Sequence, residues 1–325
     1  MHFSRLGALL VGFGLFASAA SAQSSIKLIP MPREIRATGD EALIHGVGIS
    51  CMAPCAVEDR FAADDLTASL VARGVVGSPG GVAIELARAS VHPEVKFTDE
   101  MRAEGYVITK IGKTLTVIGD SAAGVFYGAQ TVKQLIEGNG AGAVLHEANV
   151  RDWPAMKYRG LDDDLSRGPV TTLEFQKHLI RTLAAYKVNL YSPYFEHTQQ
   201  YASNPLMAPP GGSVSAEEAR QLVEYARLYH IDVVPEQEAF GHLHHNLAWE
   251  QYQPLAETPH GAVLAPGQPG SIALIKQMFT ELAALYPGPF LHIGADETVD
   301  LGLGQTQAEV DARGLGRFIW IFCSG

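Results

Sequence analysis

After Asp152-Trp153-Pro154 the chain alternates short apolar runs with amphipathic stretches, and this alternation narrows its possible folds more than any other feature. Tyr158 to Asp162 reads as a strand, Thr172 to Tyr186 as a helix, Val188 to Ser192 as a strand and Ser215 to Tyr229 as a helix. A strand at Ile231 to Pro235, a helix at Ser271 to Tyr286 and a strand at Phe290 to Gly294 continue the order. Ser215 followed by Glu218 makes a capping box, and Lys187 falls just after a helix end, where a cation suits the helix dipole. Strict alternation implies a parallel sheet with right-handed crossovers, either open or closed into an eight-stranded barrel. With 47% hydrophobic and 18% charged residues, the chain has the material for a packed core, which excludes a disordered or fibrous protein.

The preceding region has a different texture. Glu58 to Ala72 and Ala122 to Ile136 have helical spacing, whereas Val82 to Leu86, Tyr106 to Ile111 and Leu115 to Ile118 read as short strands, the last two joined by a turn at Gly112-Lys113. The glycines at 138, 140 and 142 then break the helix, so residues 23–150 are expected to form a small α/β domain and 151–325 the alternating one. Residues 1–22 resemble a secretory leader: a positive charge at Arg5, an apolar run from Leu6 to Phe16, and the small residues Ala20-Ser21-Ala22. The apolar run falls short of a bilayer span, and no later stretch is long enough, so a secreted or periplasmic product without a membrane anchor is expected. In an oxidising compartment Cys51 and Cys55 can pair across their short loop or remain buried thiols, with Cys323 left over. The net charge of −11, without a basic stripe, argues against nucleic acid as a partner.

Polar residues follow each strand of the alternating region. They are Asp162-Asp163-Asp164 with Ser166-Arg167, Glu196-His197, Glu236-Gln237-Glu238 with Gly241-His242, and Asp296-Glu297. In a parallel architecture they converge on the face where ligands bind. His292-Ile293-Gly294-Ala295-Asp296-Glu297 is the sharpest signal, because adjacent, partly desolvated carboxylates push one of their pKa values up and leave a neutral acid of the kind acetal cleavage needs. A helix N-terminal charge or a solvated loop is the bland alternative. His242, His244 and His245 with Asp296 also invite a metal reading, but their order is not a spaced ligand motif, and no metal or other cofactor is expected.

The ordered motifs resemble glycoside hydrolase family twenty, the exo-acting β-N-acetylhexosaminidases. The resemblance rests on HIGADE at 292–297, Tyr158-Arg159-Gly160-Leu161 with Asp164 and Arg167, Tyr186-Lys187-Val188-Asn189, and Val233-Val234-Pro235-Glu236 with Gly241-His242. Ile29-Pro30-Met31-Pro32, Glu104-Gly105-Tyr106 and Gly124 to Thr131 carry it through the first region. It implies a (β/α)8 TIM barrel after a small α/β domain, and substrate-assisted retaining hydrolysis, in which the sugar's own acetamido oxygen attacks the anomeric carbon. It also implies that Glu297 protonates the leaving oxygen and that Asp296 holds the acetamido N–H and stabilises the developing cation. Arg159 would donate to sugar hydroxyls unless it pairs with Asp162 or Asp164, and His242, Glu238 and His292 would complete the substrate contacts. The partners implied are N-acetylhexosamine-containing glycans.

Two departures stand out. The second strand end is Tyr191 to His197 instead of a Trp- and His-rich segment, and Glu238 replaces the family's usual Asp. A whole barrel takes about 250 residues, so residues 151–325 are expected to hold about four β/α units, with the tail from Gly314 adding no helix, as in a truncated or frame-shifted product. A non-catalytic carbohydrate-binding fragment and a metal-dependent hydrolase are the competing function classes.

Overall fold

The computed structural model describes residues 26–324, so the leader expected at 1–22 lies outside the described residues. The first unit runs β1 (Glu34–Ala42), β2 (Val47–Cys51), α1 (Val57–Ala72), β3 (Val82–Arg88), β4 (Tyr106–Ile111), β5 (Thr114–Gly119), α2 (Ala122–Leu135), β6 (Ile136–Glu137) and β7 (Val144–Asp152). Its strands form one mixed sheet in the order β1-β7-β4-β5-β3-β2, with β6 beside β7. Ala62, Leu66 and Leu70 of α1 and Val125, Ala129 and Val132 of α2 are buried at three- and four-residue spacing, the stripe that a helix lays on a sheet. Sequence periodicity did not pick out β1, β2 or β7. In β1 the alternation runs between exposed and half-buried residues such as Glu34, Arg36 and Glu41, which gives no apolar signal. Cys51 and Cys55 form a disulfide, with Cα atoms 5.8 Å apart, between the end of β2 and the start of α1.

The second unit runs β8 (Gly160–Asp164), α3 (Leu173–Ala185), β9 (Leu190–Phe195), α4 (Ala216–Leu228), β10 (Asp232–Val233), β11 (Glu236–Gln237), α5 (His244–Leu247), α6 (Pro269–Leu285), α7 (Gln307–Arg313) and α8 (Leu315–Ser324). All four strands are parallel, with β9 central. The fold is thus a small α/β domain followed by part of a TIM barrel. Helix starts expected at Thr172 and Ser215 are N-caps, and Ser215 and Glu218 make the capping box reciprocally. Leu274, Met278, Leu282 and Leu285 of α6 are buried, each contributing about 1.5–3 kcal/mol relative to exposure.

Three expectations are corrected. Of the strand expected over Ile231 to Pro235 only Asp232–Val233 (β10) forms, and pairing resumes beyond it in β11, because Pro235 between them has no N–H to donate to a ladder. Phe290 to Gly294 is a single bridge and not a strand. His292 donates its N–H to the Pro235 carbonyl at 3.0 Å and accepts the Gln237 N–H at 3.1 Å, and among the described residues no strand pairs its other side. The tail from Gly314 contains a helix, α8, contrary to the expectation of none.

A buried polar knot ties the two units together. Lys187, between α3 and β9, donates to Tyr106 Oη at 2.6 Å and to Asp152 Oδ2 at 3.1 Å, while Tyr106 donates to the same Asp152 oxygen at 2.6 Å. Arg33 N–H reaches Asp152 Oδ1 at 3.1 Å. Burial pulls the Lys187 ammonium below its usual value, and Asp152 works against that. Asp152→Asn leaves the Lys187 charge without its partner, and a loss of about 3–5 kcal/mol in urea unfolding is expected. A loss under 1 kcal/mol would show that the knot does not hold the units together.

Candidate active site at the strand ends

Register brings the polar strand ends together. Asp164 of β8 and Glu236 of β11 both pair with Tyr194 of β9, and Glu236 bridges to His292, so the four segments end at one level. A chain of charged groups crosses that level. Asp164 holds Arg167 at 2.8 Å, Arg167 Nη2 holds Glu196 Oε1 at 3.0 Å, and Tyr194 Oη donates to the same Glu196 oxygen at 3.1 Å. His242 comes next, its Nδ1 3.6 Å from Glu196 Oε1 and 3.5 Å from Arg167 Nη2. Its Nε2 lies 3.5 Å from both Asp296 Oδ2 and Glu297 Oε2. Glu196 is buried, whereas the Asp296 and Glu297 side chains are 62% and 72% exposed, so the pair faces solvent from a fixed base.

Backbone strain is concentrated here. His242, Ala295 and Glu297 have φ of 53°, 77° and 47°, in the left-handed region that non-glycine residues avoid, at a cost of about 1–3 kcal/mol each. Two glycines permit the close packing. A Cβ at Gly241 would collide with the Asp296 carbonyl, and one at Gly294, itself at φ 61°, would collide with the Glu238 carboxyl. Glu238, fully buried, lies beneath the pair. Its Oε2 accepts the Ala295 N–H at 3.1 Å, while Oε1 faces no donor.

A proton on Glu238 resolves that arrangement, because the carboxyl can then donate to Asp296. Burial, with this hydrogen bond and the Asp296 and Glu236 charges, pushes the Glu238 carboxyl up to about 8. Burial also works to raise Asp296, but the hydrogen bond from Glu238 and the nearby His242 hold it below the usual carboxylate range. The sequence points to a neutral acid within the Asp296-Glu297 pair, and the fold adds a third carboxyl one layer deeper, Glu238, which burial pushes up.

Of the expected site residues, Asp296, Glu297, His242 and Glu238 are brought together. His292 stands at the margin, its Nδ1 3.0 Å from Glu236 Oε1 and its ring 57% exposed. Arg159 is not brought in. It precedes the first residue of β8, at the opposite end of the strand from the cluster, and pairs with Glu104 at 2.8 Å instead of Asp162 or Asp164. Its Nε also donates to the Lys187 carbonyl at 2.9 Å, so its geometry serves the junction between the units. Glu196 and Arg167 belong to the cluster although neither was singled out as a site residue. The signal was the position of Glu196 directly after β9. Among the described residues, His242, Asp296 and Glu297 are the group whose ligand atoms lie close enough to hold a metal ion.

Comparison with known proteins agrees with this architecture. The family model for glycosyl hydrolase family 20, domain 2, matches residues 25–153, and that for the family 20 catalytic domain matches residues 156–312. The partial parallel barrel, with polar residues gathered at one end, is of the TIM-barrel class that these family models describe. The chain belongs to glycosyl hydrolase family 20. It is 28% identical over 311 residues to a beta-hexosaminidase of Porphyromonas gingivalis, covering 84% of this chain and 39% of that protein. It is 25% identical over 319 residues to a beta-hexosaminidase of Vibrio furnissii, covering 86% and 50%. A solved family 20 beta-N-acetylglucosaminidase superposes with a TM-score of 0.66 at 27% identity, over 84% of this chain and 60% of that one. The chain thus spans about half the length of the curated relatives it matches.

The raised Glu238 carboxyl makes stability fall with pH. Between the ordinary value of 4.5 and about 8 the folded state keeps a proton that the unfolded state has lost, so stability is greatest below pH 4.5 as far as this group is concerned and drains away through pH 8. Glu238→Gln, which keeps the shape and a donor but does not titrate, is expected to flatten that slope and to raise the Tm at pH 8 by a few degrees, on the scale of about 2–4 °C per kcal/mol. Calorimetric scans at pH 5 and pH 8 check this. Equal slopes for the two proteins would show that Glu238 is ionised throughout.

Proposed function

We propose that the strand-end cluster carries out exo-β-N-acetylhexosaminidase chemistry, releasing terminal N-acetylglucosamine or N-acetylgalactosamine from glycans by substrate-assisted, retaining hydrolysis. The observation that carries the reading is the meeting of Asp296 and Glu297 at His242 Nε2, on the solvent-facing end of a parallel sheet, in a family 20 chain. Glu297 is the proton donor to the leaving oxygen and then takes a proton from water. Asp296, held ionised by the Glu238 proton beneath it, accepts the acetamido N–H and stabilises the positive charge as the acetamido oxygen closes on the anomeric carbon. His242, with Glu196 on its other side, places its Nε2 3.5 Å from an oxygen of each carboxylate. His292 and Glu236 lie beside this space as further sugar contacts.

We further infer export of the chain to an extracellular or periplasmic setting, supported by the leader pattern at 1–22 and the Cys51–Cys55 disulfide. Among the described residues no helix is long and apolar enough to cross a membrane. The high exposure of Asp296 and Glu297 favours one second reading, sugar binding without turnover, because an acid open to water gains little from a low-dielectric site.

A chromogenic N-acetylglucosaminide separates the two. Hydrolysis by the wild type, with Glu297→Gln slower by about 10²–10⁴-fold, Asp296→Asn also strongly impaired and the matching glucoside uncut, is the expected result. Unchanged rates in both variants, or equal cleavage of the sugar that lacks the amide, would overturn the hydrolase reading. Saturable binding of N-acetylglucosamine with no turnover by any form would establish the second one.

A further inference from the structure

The distances from His242 Nε2 to the carboxylates are too long for hydrogen bonds but match a different bonding geometry. Its Nε2 is 3.5 Å from Asp296 Oδ2 and 3.5 Å from Glu297 Oε2, and this buried nitrogen makes no hydrogen bond. Tetrahedral zinc with ligands at about 2.0–2.2 Å sets neighbouring ligand atoms about 3.3–3.5 Å apart. One ligand atom from each of the three residues lies within 4.8 Å of the others. The carboxylates are exposed, so they can rotate to close the third edge, and solvent is at hand for a fourth ligand. On the far side of the ring, Nδ1 lies 3.5 Å from the Arg167 Nη2 donor and 3.6 Å from Glu196 Oε1, so metal capture by Nε2 requires Nδ1 to take up the ring proton and turn from Arg167 to the Glu196 carboxylate.

We propose that His242, Asp296 and Glu297 form a binding site for a divalent transition cation, Zn2+ above all, and that the bound cation blocks the hydrolytic site. Two carboxylates and one imidazole are hard and borderline ligands suited to zinc, and two of them formally neutralise its charge. The inhibitory part rests on the hydrolase reading, since it follows from the metal occupying the oxygens of the proposed acid and anion; the binding part does not. The other histidine group is less suitable. His245 stacks on His197 and on His244 with ring centroids 4.0 Å apart and planes inclined by 37° and 42°, so the rings present faces to each other instead of converging lone pairs.

Zn2+ titration of the whole chain by calorimetry, with Co2+ as an absorbing probe, tests the site without any substrate. One saturable equivalent is expected, with a tetrahedral Co2+ spectrum. Affinity should fall at least tenfold in His242→Ala and in Glu297→Gln, fall about 10–100-fold in Glu196→Gln, and hold in His245→Ala. Glu297 is exposed, so its variant decides the matter if His242→Ala fails to fold by circular dichroism. Absence of saturable binding, or affinity unchanged in Glu297→Gln, or loss in His245→Ala with retention in Glu297→Gln, would overturn the inference. In the chromogenic assay Zn2+ is expected to raise the apparent KM and leave kcat unchanged, reversibly with chelator. Turnover with no Zn2+ binding would remove the metal site and leave the hydrolase reading standing. Zn2+ binding that depends on Glu297, with no turnover by any form, would do the reverse.

Discussion

Burial of the Glu238 carboxyl beneath Asp296 is the constraint on which the strand-end architecture depends. Three carboxylates, Glu238, Asp296 and Glu297, crowd one end of a parallel sheet, with the first of them fully buried. Keeping Glu238 neutral removes the most costly of those charges and turns it into a hydrogen-bond donor. Asp296 then gains a reason to stay ionised, and the left-handed backbone at Ala295 and Glu297 has a fixed point to turn about. The Glu236 carboxyl is raised too, first by burial, so the floor of the site as a whole favours fewer charges than its residue types suggest.

Above that floor the side chains form a line rather than a ring. Asp164, Arg167 and Glu196 alternate in charge from β8 across β9, and His242 continues the line in the loop after β11. The four members come from the ends of three strands, Asp164 and Arg167 from β8, Glu196 from β9 and His242 from β11, so the line exists only if the strands keep register. Arg167 is the hinge of that arrangement, since it neutralises the buried Glu196 and leaves that carboxylate available to His242. On the proposed readings, the acid–base chemistry and the metal would compete for the same His242, Asp296 and Glu297 atoms.

The junction between the units follows a separate logic. Arg159 and Lys187 both point to the first domain, one to Glu104 and the other to Asp152 and Tyr106. A largely apolar cavity of about 390 Å³ lies between these pairs, lined in part by Met31, Trp153 and Met156. These paired charges act beside an apolar contact in which Tyr229 of the second unit packs on Phe61 and Phe126 of the first, ring centroids 5.0 and 6.0 Å apart, within one buried cluster that runs through both units.

Much of this was legible in the sequence. Three- and four-residue spacing located α3, α4 and α6, the serine and threonine caps fixed where α3 and α4 begin, and HIGADE identified Asp296 and Glu297 as the chemical end of its segment. Periodicity is a local property, so it could not reveal β1, an edge strand with no buried stripe, nor show that Pro235 splits a strand and Phe290 to Gly294 makes only one bridge. Nor could it say which carboxyl stays neutral, or that Arg159 turns toward Glu104. Burial and pairing arise between segments distant in the chain, and so residue types and their order determined the chemistry on offer, while the packing of strand ends decided which carboxyl is buried and which face solvent.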